Sequence, residues 1–118
     1  MEKFMFIFKG ADYEDARLSA EEAQKETAKW YSWIKDLSES KIYEGGEPLL
    51  KGGKTLKKNG SKVVVTDGPF PESKELVGGF FVIKASDMNE AVEIAKNYPD
   101  FNLGGTVEIR QVRKIDMM

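Results

Sequence analysis

Apolar residues open the chain as one uninterrupted run, Phe4-Met5-Phe6-Ile7-Phe8, led by Lys3 and closed by Lys9-Gly10. A run of this length and aromatic content predicts a strand covered on both faces, because a strand with one wet face alternates. The spacing then changes. Ala23, Thr27, Trp30, Tyr31, Ile34 and Leu37 recur at three- and four-residue intervals, and the charged residues Glu21, Lys25, Glu26, Lys29 and Lys35 fall mostly off that stripe. This is the pattern of an amphipathic helix. Ser19 is its predicted N-cap, with Glu22 completing a capping box, and the helix ends near Ser40, before Gly45-Gly46. Trp30 and Tyr31 read as core; Trp33 lies off the stripe, near an interface.

Asn59-Gly60 is the clearest turn signal, since a two-residue hairpin needs positive φ that Asn and Gly adopt at low cost. It predicts strands over Lys54 to Lys58 and Ser61 to Thr66, with Lys58 opposite Ser61, Lys57 opposite Lys62 and Leu56 opposite Val63. A further strand follows at Gly79 to Lys84. Asp87 then caps a second helix, with Glu90 at the capping-box position and Met88, Ala91, Val92 and Ala95 on one face; Pro99 stops it. Gly104-Gly105 leads into a last strand, Thr106 to Val112. The order matches an α+β, ferredoxin-like split βαβ domain spanning residues 1–118, with two helices on one face of an antiparallel sheet and an added β-hairpin. The runs at Phe4–Phe8 and Phe80–Ile83 leave apolar side chains on the other face, and so large a bare patch is unusual for a monomer. A homodimer with sheets packed face to face is the expected solution.

Composition narrows the chemistry. At 41% hydrophobic and 32% charged residues, the 118-residue chain has the balance of a single soluble domain. A net charge of −2 gives no electrostatic reason to expect nucleic acid. Cysteine and histidine are both absent, which removes thiolate chemistry, the commonest metal ligands and the commonest general base. Neither a metal nor a cofactor is expected. No apolar run reaches the length of a membrane span, and Glu2 beside so short a run argues against a leader, so a cytoplasmic, membrane-free protein is expected.

Proton chemistry would then fall to carboxylates, Lys or Tyr. Asp67 is followed by Gly68-Pro69, which turn the chain sharply after a strand and fix a carboxylate at its end. It suits a general base, and equally an Asx-turn acceptor for its own loop. Glu72, Lys74 and Glu75 would line a pocket mouth, Lys74 facing an anionic group, or form a solvated cluster. Phe70 either touches ligand or plugs the core. Glu108 and Arg110, two apart on a strand, project from one face about 6.5 Å apart. Turned inward, Arg110 would need a partner such as Asp67; otherwise Val107 and Ile109 face the core. Lys51, Lys54, Lys57, Lys58 and Lys62 guard an exposed edge.

The stretch Val65-Thr66-Asp67-Gly68-Pro69-Phe70, followed by Glu72, Lys74-Glu75 and Gly78-Gly79-Phe80, resembles the central motif of DGPF-domain proteins within the YCII-related family. Gly45-Gly46-Glu47, Glu90-Ala91 and Gly104-Gly105-Thr106-Val107-Glu108-Ile109-Arg110 agree with it. The resemblance implies a subunit that dimerises as a dimeric α/β barrel. It does not bring the His–Asp pair of YCII proteins outside the DGPF branch, because this chain has no His. Arg110-Gln111-Val112 also departs from the family's usual Arg-Pro-Val ending. Two function classes follow. One is a small-molecule pocket between sheet and helices, with cofactor-free isomerase- or lyase-like proton transfer, Asp67 as base and Arg110 or Lys74 stabilising an oxyanion. The other is a non-catalytic regulatory or interaction module, since some relatives are encoded beside sigma factors.

Overall fold

The computed structural model describes residues 1–11, 16–68 and 76–115. Strand β1 (Glu2–Lys9) is followed by helix α1 (Ala20–Glu39), strands β2 (Tyr43–Pro48), β3 (Lys54–Asn59), β4 (Lys62–Asp67) and β5 (Val77–Ala85). Helix α2 (Met88–Ala95), a 3-10 turn (Pro99–Leu103) and β6 (Thr106–Gln111) complete the order. Four strands form an antiparallel sheet in the order β2-β5-β1-β6, and β3-β4 form a separate two-stranded sheet. The four-stranded order is that of the expected ferredoxin-like fold. The strand beside β5 is Tyr43–Pro48, a segment not read as a strand from the sequence. Glycine permits this edge: a Cβ on Gly46 would lie 2.3 Å from the Phe80 carbonyl oxygen, and one on Gly79 would lie 2.9 Å from that of Glu47.

β1 pairs with β5 and β6, so its alternate residues enter two environments. Phe4, Phe6 and Phe8 are buried under the helices together with Phe81, Ile83, Ala85, Trp33, Leu37, Ala91 and Ala95. Met5, Ile7, Phe80 and Val82 point to the opposite face and are half-buried. The run expected to be covered on both faces is therefore fully covered on one only within this chain.

Both predicted caps form. Ser19 Oγ accepts from the Glu22 amide, and Glu22 Oε1 accepts from the Ser19 amide. Asp87 Oδ1 accepts from the Glu90 amide, while Glu90 returns to Ser86 rather than to the cap. The buried face of α1 is rotated from the predicted stripe. Glu26, Trp33 and Leu37 are buried, whereas Thr27 and Tyr31 are exposed. The rotation follows from aromatic packing on the sheet, where Trp33 stacks on Phe6 at 6.2 Å and meets Phe81 at 5.2 Å.

The hairpin turn also moves by one position. Asn59 opposes Lys62, Lys58 opposes Val63 and Lys57 opposes Val64, so Gly60 and Ser61 are the central turn residues. Positive φ occurs at Gly60 and not at Asn59, the conformation of a turn with Gly in its first central position. This register separates Lys57 from Lys62 and avoids a like-charge pair.

Candidate functional site

A cleft of about 1140 Å³ opens between the sheet, α1 and the 3-10 turn. Aromatic rings make its interior. Trp30 meets Phe8 at 5.0 Å, Tyr98 at 5.5 Å and Phe81 at 5.6 Å, all edge to face, and Phe8 stacks on Tyr98 at 5.2 Å. Tyr43 on β2 closes the side by an edge contact to Phe81 at 5.1 Å. Gly105 leaves room for the Tyr98 ring, since a Cβ there would lie 2.1 Å from its hydroxyl.

Polar groups converge from the 3-10 turn and the rim. Pro99 begins that turn, and Gly104 ends it with φ +83°, so the turn is short and presents Asp100 and Asn102 to the cleft. Buried Asp100 accepts from the Trp30 indole at 3.1 Å through Oδ2. Beside it lies buried Glu26, ion-paired with Lys29 at 2.7 Å. The Lys29 ammonium, with help from Asp100 and Asn102, holds the Glu26 carboxyl below the ordinary carboxylate range against the opposing effect of burial. The Tyr43 phenol is pushed above its usual value, first by burial and then by the Glu47 charge. Lys9 at the rim pairs with Glu108 at 2.7 Å, and Arg110 meets the same carboxylate at 3.2 Å. Those two cations, Lys9 first, lower the Glu108 pKa.

The expected site residues are distributed differently. Asp67 ends β4 with its carboxylate 83% exposed and in contact with Lys54. Arg110 is exposed and faces Glu108, while Val107 and Ile109 pack on the core. Neither Asp67 nor Arg110 lines the cleft, and they are not partners of one another. The physical reason is the sheet order: β4 pairs with β3 alone, so its end does not reach the strand edge above the helices. Phe70, Glu72 and Lys74 lie outside the described residues. Among the described residues no three His, Cys, Asp or Glu side chains group in a way that would hold a metal ion. No described helix is long and apolar enough to cross a membrane.

Sequence reasoning missed Glu26, Tyr43, Tyr98 and Asp100. Glu26 had a usable signal, because it stands four residues before Trp30 and seven before Trp33, on the face that becomes buried. Asp100 was hidden behind Pro99, read as a helix stop rather than as the start of a new turn.

Three comparisons with known proteins bear on this geometry. A solved structure of 5-chloro-2-hydroxyhydroquinone dehydrochlorinase (TftG) from Burkholderia phenoliruptrix AC1100, in complex with 2,5-dihydroxybenzoquinone, superposes with a TM-score of 0.54. The alignment covers 98% of this chain and 97% of that one at 15% identity, a likeness of fold. Uncharacterized protein R00369 of Rhizobium meliloti (strain 1021) is 35% identical over 57 residues, which span 48% of this chain and 46% of that relative. The chain thus spans about half the length of this curated relative. The family model of the YCII-related domain matches residues 4–116. The chain belongs to the YCII-related family.

Proposed function

We propose that this protein is a homodimeric small-molecule-binding protein whose ligand occupies the aromatic cleft, with cofactor-free proton transfer of an isomerase- or lyase-like kind as its chemistry. The cleft itself carries the reading: an apolar cavity of about 1140 Å³ with a few convergent polar groups is the usual form of a small-molecule site. Its rings favour a flat ligand, and a small oxygenated ring of the kind bound by the dehydrochlorinase TftG fits that preference. The apolar set Met5, Ile7, Phe80 and Val82 on the outer sheet face supports a second copy seated there. Asp67 as base, with Arg110 or Lys74 stabilising an oxyanion, is the sequence-derived part of this reading, and it requires a ligand that extends beyond the cleft, because Asp67 and Arg110 do not line it.

A thermal-shift screen with 2,5-dihydroxybenzoquinone and related oxygenated rings tests the binding. A ligand at a hundred times its Kd stabilises the fold by about 2.7 kcal/mol. Stabilisation is expected in the wild type and absent in Trp30→Ala; no shift with any ring compound would sink the proposal. Once turnover is found, Asp67→Asn with intact folding and unchanged rate removes Asp67 as the base. Light scattering showing a monomer at micromolar concentration removes the dimer.

The exposed hairpin favours a second reading, a regulatory or interaction module. There Asp67 and Arg110 would serve only their ion pairs with Lys54 and Glu108. A failed ligand screen together with capture of a defined partner through the hairpin would favour it.

A further inference from the structure

An aromatic cleft binds flat rings, but a hydrogen-bond donor is needed to orient a ring that carries oxygen, and several polar groups of this cleft are already engaged. The Trp30 indole donates to Asp100 at 3.1 Å, and Lys9 Nζ is bonded to Glu108 at 2.7 Å. Tyr31 is 70% exposed and stands in water. Tyr43 differs from all of these. It lines the cleft from β2, it is half-buried, and its hydroxyl has no hydrogen-bond partner among the described residues.

The fold fixes where that phenol stands. Tyr43 begins β2 opposite Ile83 of β5, and the absence of a side chain at Gly46 lets the two strands approach, since a Cβ there would lie 2.3 Å from the Phe80 carbonyl oxygen. The Tyr43 ring meets Phe81 edge to face at 5.1 Å, and Phe81 in turn meets Phe8 at 5.0 Å and Trp30 at 5.6 Å. These contacts hold the ring and leave its polar tip to water or ligand.

We infer that the Tyr43 hydroxyl is the ligand-orienting donor of the cleft, and that its acceptor is a carbonyl or enolate oxygen on a flat ring. This rests on the small-molecule reading of the cleft. It also supplies, from the cleft wall, the oxyanion stabilisation that Arg110 is too far outside the lining to give a ligand seated within it. A phenol donates as a neutral group, and no proton leaves it. Burial first, and the Glu47 charge second, raise its pKa above the usual value, so the O–H is retained. The bond strengthens as charge grows on the ligand oxygen, because charge-assisted hydrogen bonds are about twice as strong as neutral ones. Rings bearing an acceptor oxygen are therefore selected over hydrocarbon rings of the same size, which leave the hydroxyl unpaired.

The test titrates 2,5-dihydroxybenzoquinone calorimetrically into the full chain and into Tyr43→Phe, which removes the hydroxyl and keeps the ring. The hydroxyl has no partner in the fold, so the variant is expected to fold as the wild type does. Its binding is expected to be weaker by about tenfold or more. A second readout needs no variant: in the full chain labelled with ¹³C at tyrosine Cζ, the Tyr43 signal, assigned through its ring contact with Phe81, is expected to move when the probe is added. Equal affinity in the wild type and Tyr43→Phe would overturn the inference and leave the cleft as a ligand site. Weaker binding with a Tyr43 signal that the probe does not move would overturn it as well, since the residue would then act on the shape of the cleft alone. No binding of this probe to the wild type would also overturn it, and the small-molecule reading falls with it only if every other ring compound in the thermal-shift screen fails too.

Discussion

The β3–β4 hairpin and the helix-covered face of the main sheet both carry apolar residues and meet opposite fates. Leu56, Val63, Val64 and Val65 on the hairpin are all exposed, whereas Phe4, Phe6 and Ile83 on the sheet have no accessible surface. The hairpin closes on itself through its own ladder and a Gly68–Gly53 backbone bond at 3.1 Å, and among the described residues no layer covers either of its faces. The radius of gyration, 16.5 Å, exceeds the about 13.5 Å expected of a compact chain this long, as an outlying ribbon requires. Hydrophobicity alone does not make a core. A second layer does, and here α1 and α2 supply it to one sheet face.

Breaking the buried side should give the largest effect. Phe6→Ala removes a ring stacked on Trp33 and is expected to cost about 3–5 kcal/mol in denaturant unfolding. Leu56→Ala on the hairpin should change stability by less than about 0.5 kcal/mol at low protein concentration. A comparable loss at Leu56, growing with concentration, would mean that a second chain covers the ribbon, and would erase the contrast. Gly46→Ala comes next, at about 1–3 kcal/mol, because its Cβ would collide with the Phe80 backbone that the edge strand must approach. A neutral result there would show that β2 can leave the sheet without loss. Ser19→Ala removes one side of the capping box and should cost about 1 kcal/mol, read as faster amide exchange over the first turn of α1.

The smallest effect concerns pH. Glu26 has a folded-state pKa below its unfolded value, through its bond to Lys29 first, so its contribution is present above the unfolded pKa and is lost as pH falls through the folded one. Below about pH 4 the wild type should therefore lose stability more steeply than Glu26→Gln. Equal acid limbs would show that this carboxyl is not held by Lys29 in solution.

Local rules made much of this molecule legible. The helix caps at Ser19 and Asp87 need only a short polar side chain and a free amide three residues on, and both form as read. The hairpin was legible because a Gly beside Asn marks a tight turn, although which residue takes positive φ shifted the register by one. The orientation of Trp33, Tyr31 and Glu26 was not legible, since an amphipathic stripe several residues wide fits a sheet at more than one rotation. The rings of Phe6, Phe8 and Phe81 chose between them.

The Asp67-to-Phe80 stretch marks the same boundary in functional terms. Its residues identify the family, and that identity holds over residues 4–116. They do not say whether Asp67 meets a ligand, because that depends on which strand pairs with β5, a choice between segments about twenty residues apart. The sequence by itself determined both helices, their caps, every strand but β2 and the ferredoxin-like order, all consequences of short-range spacing. Only the tertiary structure decided that β2 takes the sheet edge, that the hairpin stands apart, and that Asp100 meets Trp30. Those outcomes join residues as far apart as Trp30 and Asp100, and such contacts are chosen by packing and by close backbone approach at Gly46 and Gly79 rather than by any local pattern.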